Sequence, residues 1–295
     1  MTMEIIFVTG KGGVGKSAVA AALAMQKAQS GRKTLLVELG RESFYQNALN
    51  LSAVSYHGVT WPGFPQLEGR FTLALWSGPE CLKEYALYLL KIESLYRLFF
   101  ENPVTRTLIQ VAPALPELSI MGKATSGPRR VGPALNYDTI VIDAFATGHF
   151  MALLRAPLGM AEAVRFGPMG EQSRSINKVL SNPELCKYVV VAFPEELPVV
   201  EGLELAQDIQ QTVGIKPTLV MNRWQEISAS VLQEHSDEEY LQRFQRHLQR
   251  LEQRQNELLA LVKENFLPVM LPQIFEVDFS KVVTALTASL SEVKL

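Results

Sequence analysis

The run Gly10-Lys11-Gly12-Gly13-Val14-Gly15-Lys16-Ser17 sets four glycines among two lysines and ends on a serine. This spacing, GxxxxGK[ST], suits one kind of chemistry, the holding of a polyphosphate. Glycines let the backbone turn tightly and aim successive N–H groups inward, and the positive end of the following helix adds to the field on an anion. Lys16 supplies a point charge for the outer phosphates. Ser17 offers a hydroxyl to Mg²⁺, a hard cation that keeps several waters and takes its other ligands from phosphate and a few protein oxygens. The run lies between the apolar Glu4-Ile5-Ile6-Phe7-Val8 and the Ala-rich segment that starts at Ala18, the strand–loop–helix setting the motif requires. The expected ligand is ATP with Mg²⁺.

The elements that must carry this loop are short apolar runs bounded by Gly, Pro or polar residues. They fall at Ile5–Val8, Thr34–Val37, Thr72–Trp76, Thr139–Ile142, Tyr188–Phe193, Thr218–Met221 and Pro268–Leu271. Stretches with helical apolar spacing, such as Ala18–Gln29, separate most of them. Alternation of this kind predicts an α/β protein with a largely parallel sheet flanked by helices. In such a sheet a carboxylate at the C-terminal end of a strand lies beside the loop, so Asp143, after Thr139–Ile142, is the second candidate for Mg²⁺, directly or through water.

The length of 295 residues favours one domain over residues 1–295, with helical elaborations at about 79–125 and 225–265. The first elaboration includes a stretch from Pro79 to about Phe100 that is apolar on more than one face. With Leu108–Met121 it forms a greasy insert, either packed internally, the favoured reading, or exposed as a groove. The second, Ser228–Lys263, reads as an amphipathic helix or helical pair. Arg243, Arg246, Arg250 and Arg254 are interleaved with Glu238, Glu239, Glu252 and Glu257, which favours a solvated charged face over a nucleic-acid surface.

Composition excludes some classes. Hydrophobic residues make up 47% and charged residues 20%, a folded profile, and the net charge of −2 gives no general basic field for nucleic acid or anionic lipid. Cys81 and Cys186 form no CxxC and read as two buried thiols. No export signal and no apolar run of membrane-spanning length is visible, so the expectation is a cytoplasmic protein with at most peripheral membrane contact and no nucleic-acid partner.

A second lysine inside the loop, Lys11, gives the deviant form KGGVGK[ST]. This form resembles the group of the partition and Min ATPases, nitrogenase iron protein, and the arsenite-pump and tail-anchored-protein-targeting ATPases. The resemblance implies that Lys11 reaches across a dimer interface to the partner's nucleotide, stabilising phosphate charge as an arginine finger does elsewhere. Asp143-Ala144-Phe145-Ala146-Thr147-Gly148-His149 is similar to the DTAPTGH segment of the arsenite-pump and targeting ATPases, which makes Thr147, Gly148 and His149 the implied γ-phosphate switch. Val111–Leu118 resembles their APGLxEL segment and Phe193–Pro198 their PExLP loop. Asn222 is the implied reader of the adenine N6/N7 edge, and Leu271-Pro272-Gln273 the loop that closes over the base. The nucleotide cradle is thus expected to comprise Gly10 through Ala18, with Asn222 and Pro272 at the base.

The resemblance fails at one place. Where those ATPases carry a water-positioning aspartate, Val37-Glu38-Leu39-Gly40-Arg41-Glu42 offers Gly40. A glycine has no side chain to accept a hydrogen bond, so water positioning falls to Glu38, Glu42 or another group, and hydrolysis is expected to be slow. The same stretch looks like a VEVEGR-type segment of a bacterial subset encoded as pairs. A homodimer is therefore the default and a heterodimer with a related ATPase subunit the alternative. The leading expectation is a dimeric ATP switch for a hydrophobic or membrane-protein client. Alternatives are a degenerate regulatory subunit, a Min- or partition-like spatial-organisation ATPase and, more weakly, a small-molecule kinase.

Overall fold

A computed structural model describes residues 3–90, 114–227 and 239–291. The core is one eight-stranded sheet in the order β3-β4-β2-β5-β1-β6-β7-β8. Its strands are β1 (Glu4–Gly10), β2 (Thr34–Leu39), β3 (Val59–Thr60), β4 (Phe71–Trp76), β5 (Thr139–Ala146), β6 (Cys186–Ala192), β7 (Thr218–Trp224) and β8 (Val269–Pro272). Every pairing is parallel except β3 with β4 at one edge. All seven strands expected from the sequence are present. β3 was not expected, because two residues carry no readable periodicity. β5 runs on to Ala146 since Gly10 of β1 pairs there.

Successive side chains of a strand point to opposite faces, and β1 is apolar on both. Ile5 and Phe7 enter the core on one face, Ile6 and Val8 the core on the other. The second face is covered by α1 (Lys16–Gln29) and, at the chain's other end, α10 (Phe279–Ser291). Small side chains let α1 sit between sheet and helix: Ala20, Ala21, Ala22, Ala24 and Ala28 are all fully buried. Gln26 donates its side-chain amide to the Leu290 carbonyl at 2.8 Å, tying α1 to α10.

Between these lie α2 (Phe44–Ala48), α3 (Gly78–Leu90), α4 (Leu115–Ala124), α5 (Ser126–Arg129), α6 (Thr147–Ala163), α7 (Pro168–Leu180), α8 (Glu196–Val213) and α9 (Glu239–Lys263). Most of them cover the first face. The described part of the apolar insert is packed inward in part: Cys81 and Ala86 of α3 and Ile120, Met121 and Ala124 of α4 are buried, while Tyr88 of α3 is exposed. Lys123 of α4 is buried as well, its ammonium 2.8 Å from Glu84 of α3 and 3.6 Å from the centre of the Tyr56 ring. Residues 91–113, with Val111-Ala112-Pro113 and the rest of the Pro79–Phe100 stretch, lie outside the described residues. So do residues 228–238. The remainder of that second elaboration is the single helix α9, buried through Gln255, Leu258 and Val262, while Arg243 and Arg254 pair with Glu239 and Glu196 at the surface. Cys81 and Cys186 are buried free thiols.

At the N-terminal end of β1, Glu4 gathers three cations. Its carboxylate lies 2.9 Å from Lys27, 3.1 Å from Lys187 and 3.4 Å from Arg32. Burial alone would raise its pKa, but the Lys27 and Lys187 ammoniums outweigh burial and hold the group below its ordinary value. Its contribution to stability is then full above the unfolded pKa and is lost as pH falls through the lower folded value. Glu4→Gln is expected to cost about 2 kcal/mol at pH 7 in urea unfolding. The difference from wild type should shrink as pH falls below about 4, near the ordinary carboxylate range.

Candidate functional site

Strand β1 ends at Gly10 in the middle of the sheet, between β5 and β6, and the loop that follows is built by its glycines. Gly10 (φ 145°), Gly13 (φ 84°) and Gly15 (φ 88°) all hold conformations that side chains disfavour. A Cβ at Gly10 would lie 2.2 Å from the Val191 carbonyl oxygen of β6, and one at Gly15 would lie 2.4 Å from Asn222 Nδ2. Gly15 then caps α1, with Lys16, Ser17 and Ala18 in its first turn. Val14, within the loop, is buried. Backbone N–H groups at this helix end are left without intrahelical partners, so they and the helix dipole favour an anion.

Both lysines of the loop are turned onto the protein itself. Lys16 donates from Nζ to the Lys11 carbonyl at 3.0 Å. Burial lowers its pKa, and the nearby Asp143 carboxylate works against that shift. Lys11 donates to Glu201 Oε1 of α8 at 2.8 Å. Glu201 also lines an open crevice of about 570 Å³ together with Thr147, Gly148, Arg155, Glu204 and Asp208. The crevice lies between α6 and α8 and meets the loop through the Lys11–Glu201 pair.

Asp143 of β5 lies level with Val8 of β1 and Glu38 of β2. It is buried, and burial pushes its carboxyl up to about 6 against the pull of the Ser17 and Tyr45 hydroxyls. Tyr45 Oη donates toward Asp143 Oδ2 at 3.0 Å and the Ser17 carbonyl at 2.8 Å. Glu38 is engaged in a different task. Ser43 Oγ donates to one of its oxygens and the Phe44 N–H, at 2.6 Å, to the other, so Glu38 holds the N-terminus of α2. Its pKa is raised by burial, an effect those hydrogen bonds only partly offset.

Thr147, Gly148 and His149 form the first turn of α6, immediately after β5. The His149 ring stacks on Phe145 at 4.0 Å between centroids, and the Thr9 hydroxyl donates to the Phe145 carbonyl at 2.8 Å, binding this turn to β1. Asn222 is buried under the loop, and its Nδ2 donates to the Val14 carbonyl at 2.9 Å. Pro272 ends β8 opposite Trp224. Near it, Phe193, Pro194, Arg223 and Gln273 line a cleft of about 190 Å³, where the Arg223 guanidinium lies over the Phe193 ring at 5.1 Å. Arg223 has the positive φ of 57° that side chains rarely adopt. Tyr45, Glu201 and Arg223 could not be singled out by sequence reasoning. Their partners lie 98, 190 and 30 positions away, so no local spacing signals them.

The residues present fit a magnesium nucleotide. One hydroxyl, Ser17, and one carboxylate, Asp143, meet beside a phosphate-type loop, and Mg²⁺ held on phosphate needs only one or two protein oxygens. Among the described residues no group of three or more His, Cys, Asp or Glu side chains could hold a metal ion by itself.

A glycine loop at the end of the central parallel strand, closing onto a helix N-terminus, makes this an α/β protein of the P-loop NTPase fold. The sequence model described as anion-transporting ATPase matches residues 3–40, which contain β1, the loop, α1 and β2. ATPase BagA of Mycobacterium tuberculosis is 30% identical over 233 residues, 75% of this chain and 65% of that protein. The ATPase get3 of Schizosaccharomyces japonicus is 23% identical over 240 residues, covering 70% of each chain. The arsenical pump-driving ATPase of Acidiphilium multivorum is 24% identical over 226 residues, 72% of this chain and 37% of that one. Over about seven tenths to three quarters of its length the chain is thus similar to these ATPases. It spans just under two thirds of the length of the mycobacterial relative.

Proposed function

We propose that this chain is a Mg²⁺-dependent ATPase that acts as a nucleotide-driven dimeric switch for a hydrophobic or membrane-protein client. The observation that carries the reading is the convergence of the Gly10–Ser17 loop, Lys16 and Asp143 at one end of the sheet. Lys16 and the loop N–H groups bind the phosphates, Ser17 and Asp143 hold Mg²⁺, and Pro272 and the cleft beside it take the base. Asn222 braces the loop in this conformation, and reading the adenine edge requires its amide to turn from Val14. Lys11 leaves Glu201 to meet the nucleotide of a second subunit, either a copy of this chain or a related one. Thr147, Gly148 and His149 respond to the γ-phosphate across the crevice that Glu201 lines.

Hydrolysis requires a group to orient water on the γ-phosphate. Position 40 has no side chain, and each Glu38 oxygen already accepts a bond from the start of α2. Turnover by the chain alone is therefore slow, and Gly40 favours a second reading in which this is the degenerate, regulatory half of a heterodimer. A side chain fits at this position: a Cβ on Gly40 would meet nothing nearer than the Glu42 carbonyl oxygen at 3.4 Å. Gly40→Asp is expected to raise kcat, on the order of 10²-fold or more if the carboxylate reaches the water.

The deciding experiment measures phosphate release alongside light-scattering mass, with Mg²⁺ and either ATP or ADP. A doubling of mass with ATP but not ADP, accompanied by slow turnover, supports the dimeric switch. Tight ATP binding with constant mass and no turnover assigns the chain to the regulatory reading. Absence of nucleotide binding rejects both.

A further inference from the structure

We propose that Tyr45 is a positioning residue of the metal site, fixing the orientation of the Asp143 carboxylate toward the cation. The proposal rests on the reading of Ser17 and Asp143 as the Mg²⁺ side of the nucleotide site.

Tyr45 is completely buried in α2, only a few residues after Gly40. Phe44, Trp61 and Phe279 surround its ring edge-on, with centroids 5.5 to 5.9 Å away, so the ring has little freedom to swing. Its hydroxyl crosses from α2 to both halves of the site. It lies 2.8 Å from the Ser17 carbonyl and 3.0 Å from Asp143 Oδ2. A phenol has one proton to donate, and neither a carbonyl nor an ionised carboxylate has one to return, so that proton is shared between the two acceptors. Asp143 accepts from the Ser17 hydroxyl as well, so the two hydroxyls together fix how the carboxylate is turned, and its remaining lone pairs are left for a cation or its water.

A buried tyrosine generally finds some hydrogen-bond partner, and satisfaction of its own hydroxyl would not require this one. What sets Tyr45 apart is that both acceptors belong to the metal side of the loop. The residues that order α2 come from the end of β2 and the segment after it: Ser43 caps the helix by accepting from the Gln46 N–H, and Glu38 holds Ser43 and Phe44. A shift of residues 40–45 therefore moves the phenol, and with it the orientation of Asp143. The segment lacking the usual aspartate thereby keeps a link to the metal through a different side chain. In ligated metal sites, partners that orient a ligand typically contribute 10- to 100-fold to metal affinity.

Tyr45→Phe keeps the ring and removes only the hydroxyl, so the packing around α2 is retained. Mn²⁺ affinity in the presence of a non-hydrolysable ATP analogue, read from the spin-resonance signal of free Mn²⁺, should fall about tenfold. Affinity for the same analogue in chelator, without metal, should be nearly unchanged. Asp143→Asn is measured in parallel. If Asp143→Asn weakens Mn²⁺ and Tyr45→Phe does not, the positioning role is overturned while the metal site stands. If neither variant weakens Mn²⁺, the metal reading falls as well. An equal loss of analogue affinity with and without metal in Tyr45→Phe would make the residue a brace for the loop and overturn the proposal. Thermal unfolding of Tyr45→Phe in metal-free buffer should remain a single cooperative transition, which certifies that the comparison is made on folded protein.

Discussion

Lys11→Ala and Lys16→Ala should fail in different ways. Lys16 is partly buried in the loop that would enclose the phosphates, with its pKa lowered by that burial. Its replacement removes a charge from a desolvated ion pair with the nucleotide. Truncation of one partner of such a pair typically costs about 2–5 kcal/mol, which at about 1.4 kcal/mol per decade weakens ATP binding by roughly 30-fold to several thousand-fold. Lys11 is expected to make no such contact within its own subunit. It pairs with Glu201, both side chains being about 30% exposed, a pair whose loss affects stability little. Lys11→Ala is therefore expected to bind ATP nearly as wild type does. If the lysine serves the partner's nucleotide, the variant loses ATP-dependent mass doubling, and turnover falls on the order of 10³-fold, as on removal of an arginine finger. Equilibrium binding of a fluorescent ATP analogue and light scattering on both variants make the separation. Equal loss of ATP affinity in the two would place Lys11 in its own subunit's site and remove the case for action in trans.

The same contrast marks how far the sequence could be read. The loop was legible because its chemistry depends on consecutive residues, where glycine freedom, a lysine and a hydroxyl must stand at fixed spacing. Asp143 was singled out as a strand-end carboxylate after Thr139–Ile142; β5 in fact runs on to Ala146, so the residue lies within the strand, level with Val8 and Glu38. Residues whose function depends on the approach of distant elements were not legible. Glu201 meets Lys11 only because α8 crosses the loop, and Tyr45 meets Asp143 only because α2 folds back over it. Neither residue type at its position differs from an ordinary surface glutamate or core tyrosine. Asn222 is a middle case. Its place at the end of a buried strand was readable, while its bond to Val14 follows from how tightly β7 lies under the loop. Glu38 was read as a candidate for water positioning from its place near Gly40; that its oxygens accept from Ser43 and Phe44 at the start of α2 could not be read from the sequence.

Replacing the loop glycines one at a time with alanine should give a graded series, with Gly10→Ala the most damaging. Its Cβ would be placed 2.2 Å from the Val191 carbonyl oxygen and 3.1 Å from the carbonyl carbon, both backbone atoms of a neighbouring sheet strand. Neither can yield without parting β1 from β6, a pairing that runs from Ile5 to Gly10 at the centre of the fold. Overpacking of this kind costs about 1–3 kcal/mol or more, and the φ of 145° adds backbone strain of about 1–3 kcal/mol. Against a total stability of about 5–15 kcal/mol, the variant should melt far below wild type or accumulate unfolded. Gly15→Ala is also strained at φ 88°, but its Cβ meets the side-chain amide of Asn222 rather than backbone. The amide can be pushed from Val14 at the cost of one buried hydrogen bond, about 1–3 kcal/mol. Nothing lies within 4 Å of a Cβ at Gly12, so Gly12→Ala should unfold close to wild type. Thermal and urea unfolding without nucleotide give the series directly, and ATP affinity measured on Gly12→Ala asks a separate question. If that variant is as stable as wild type and has lost ATP, the glycine serves close approach of phosphate to the backbone. If both are unchanged, the cradle is formed by Gly13, Gly15 and the helix end, and Gly12 lies outside it.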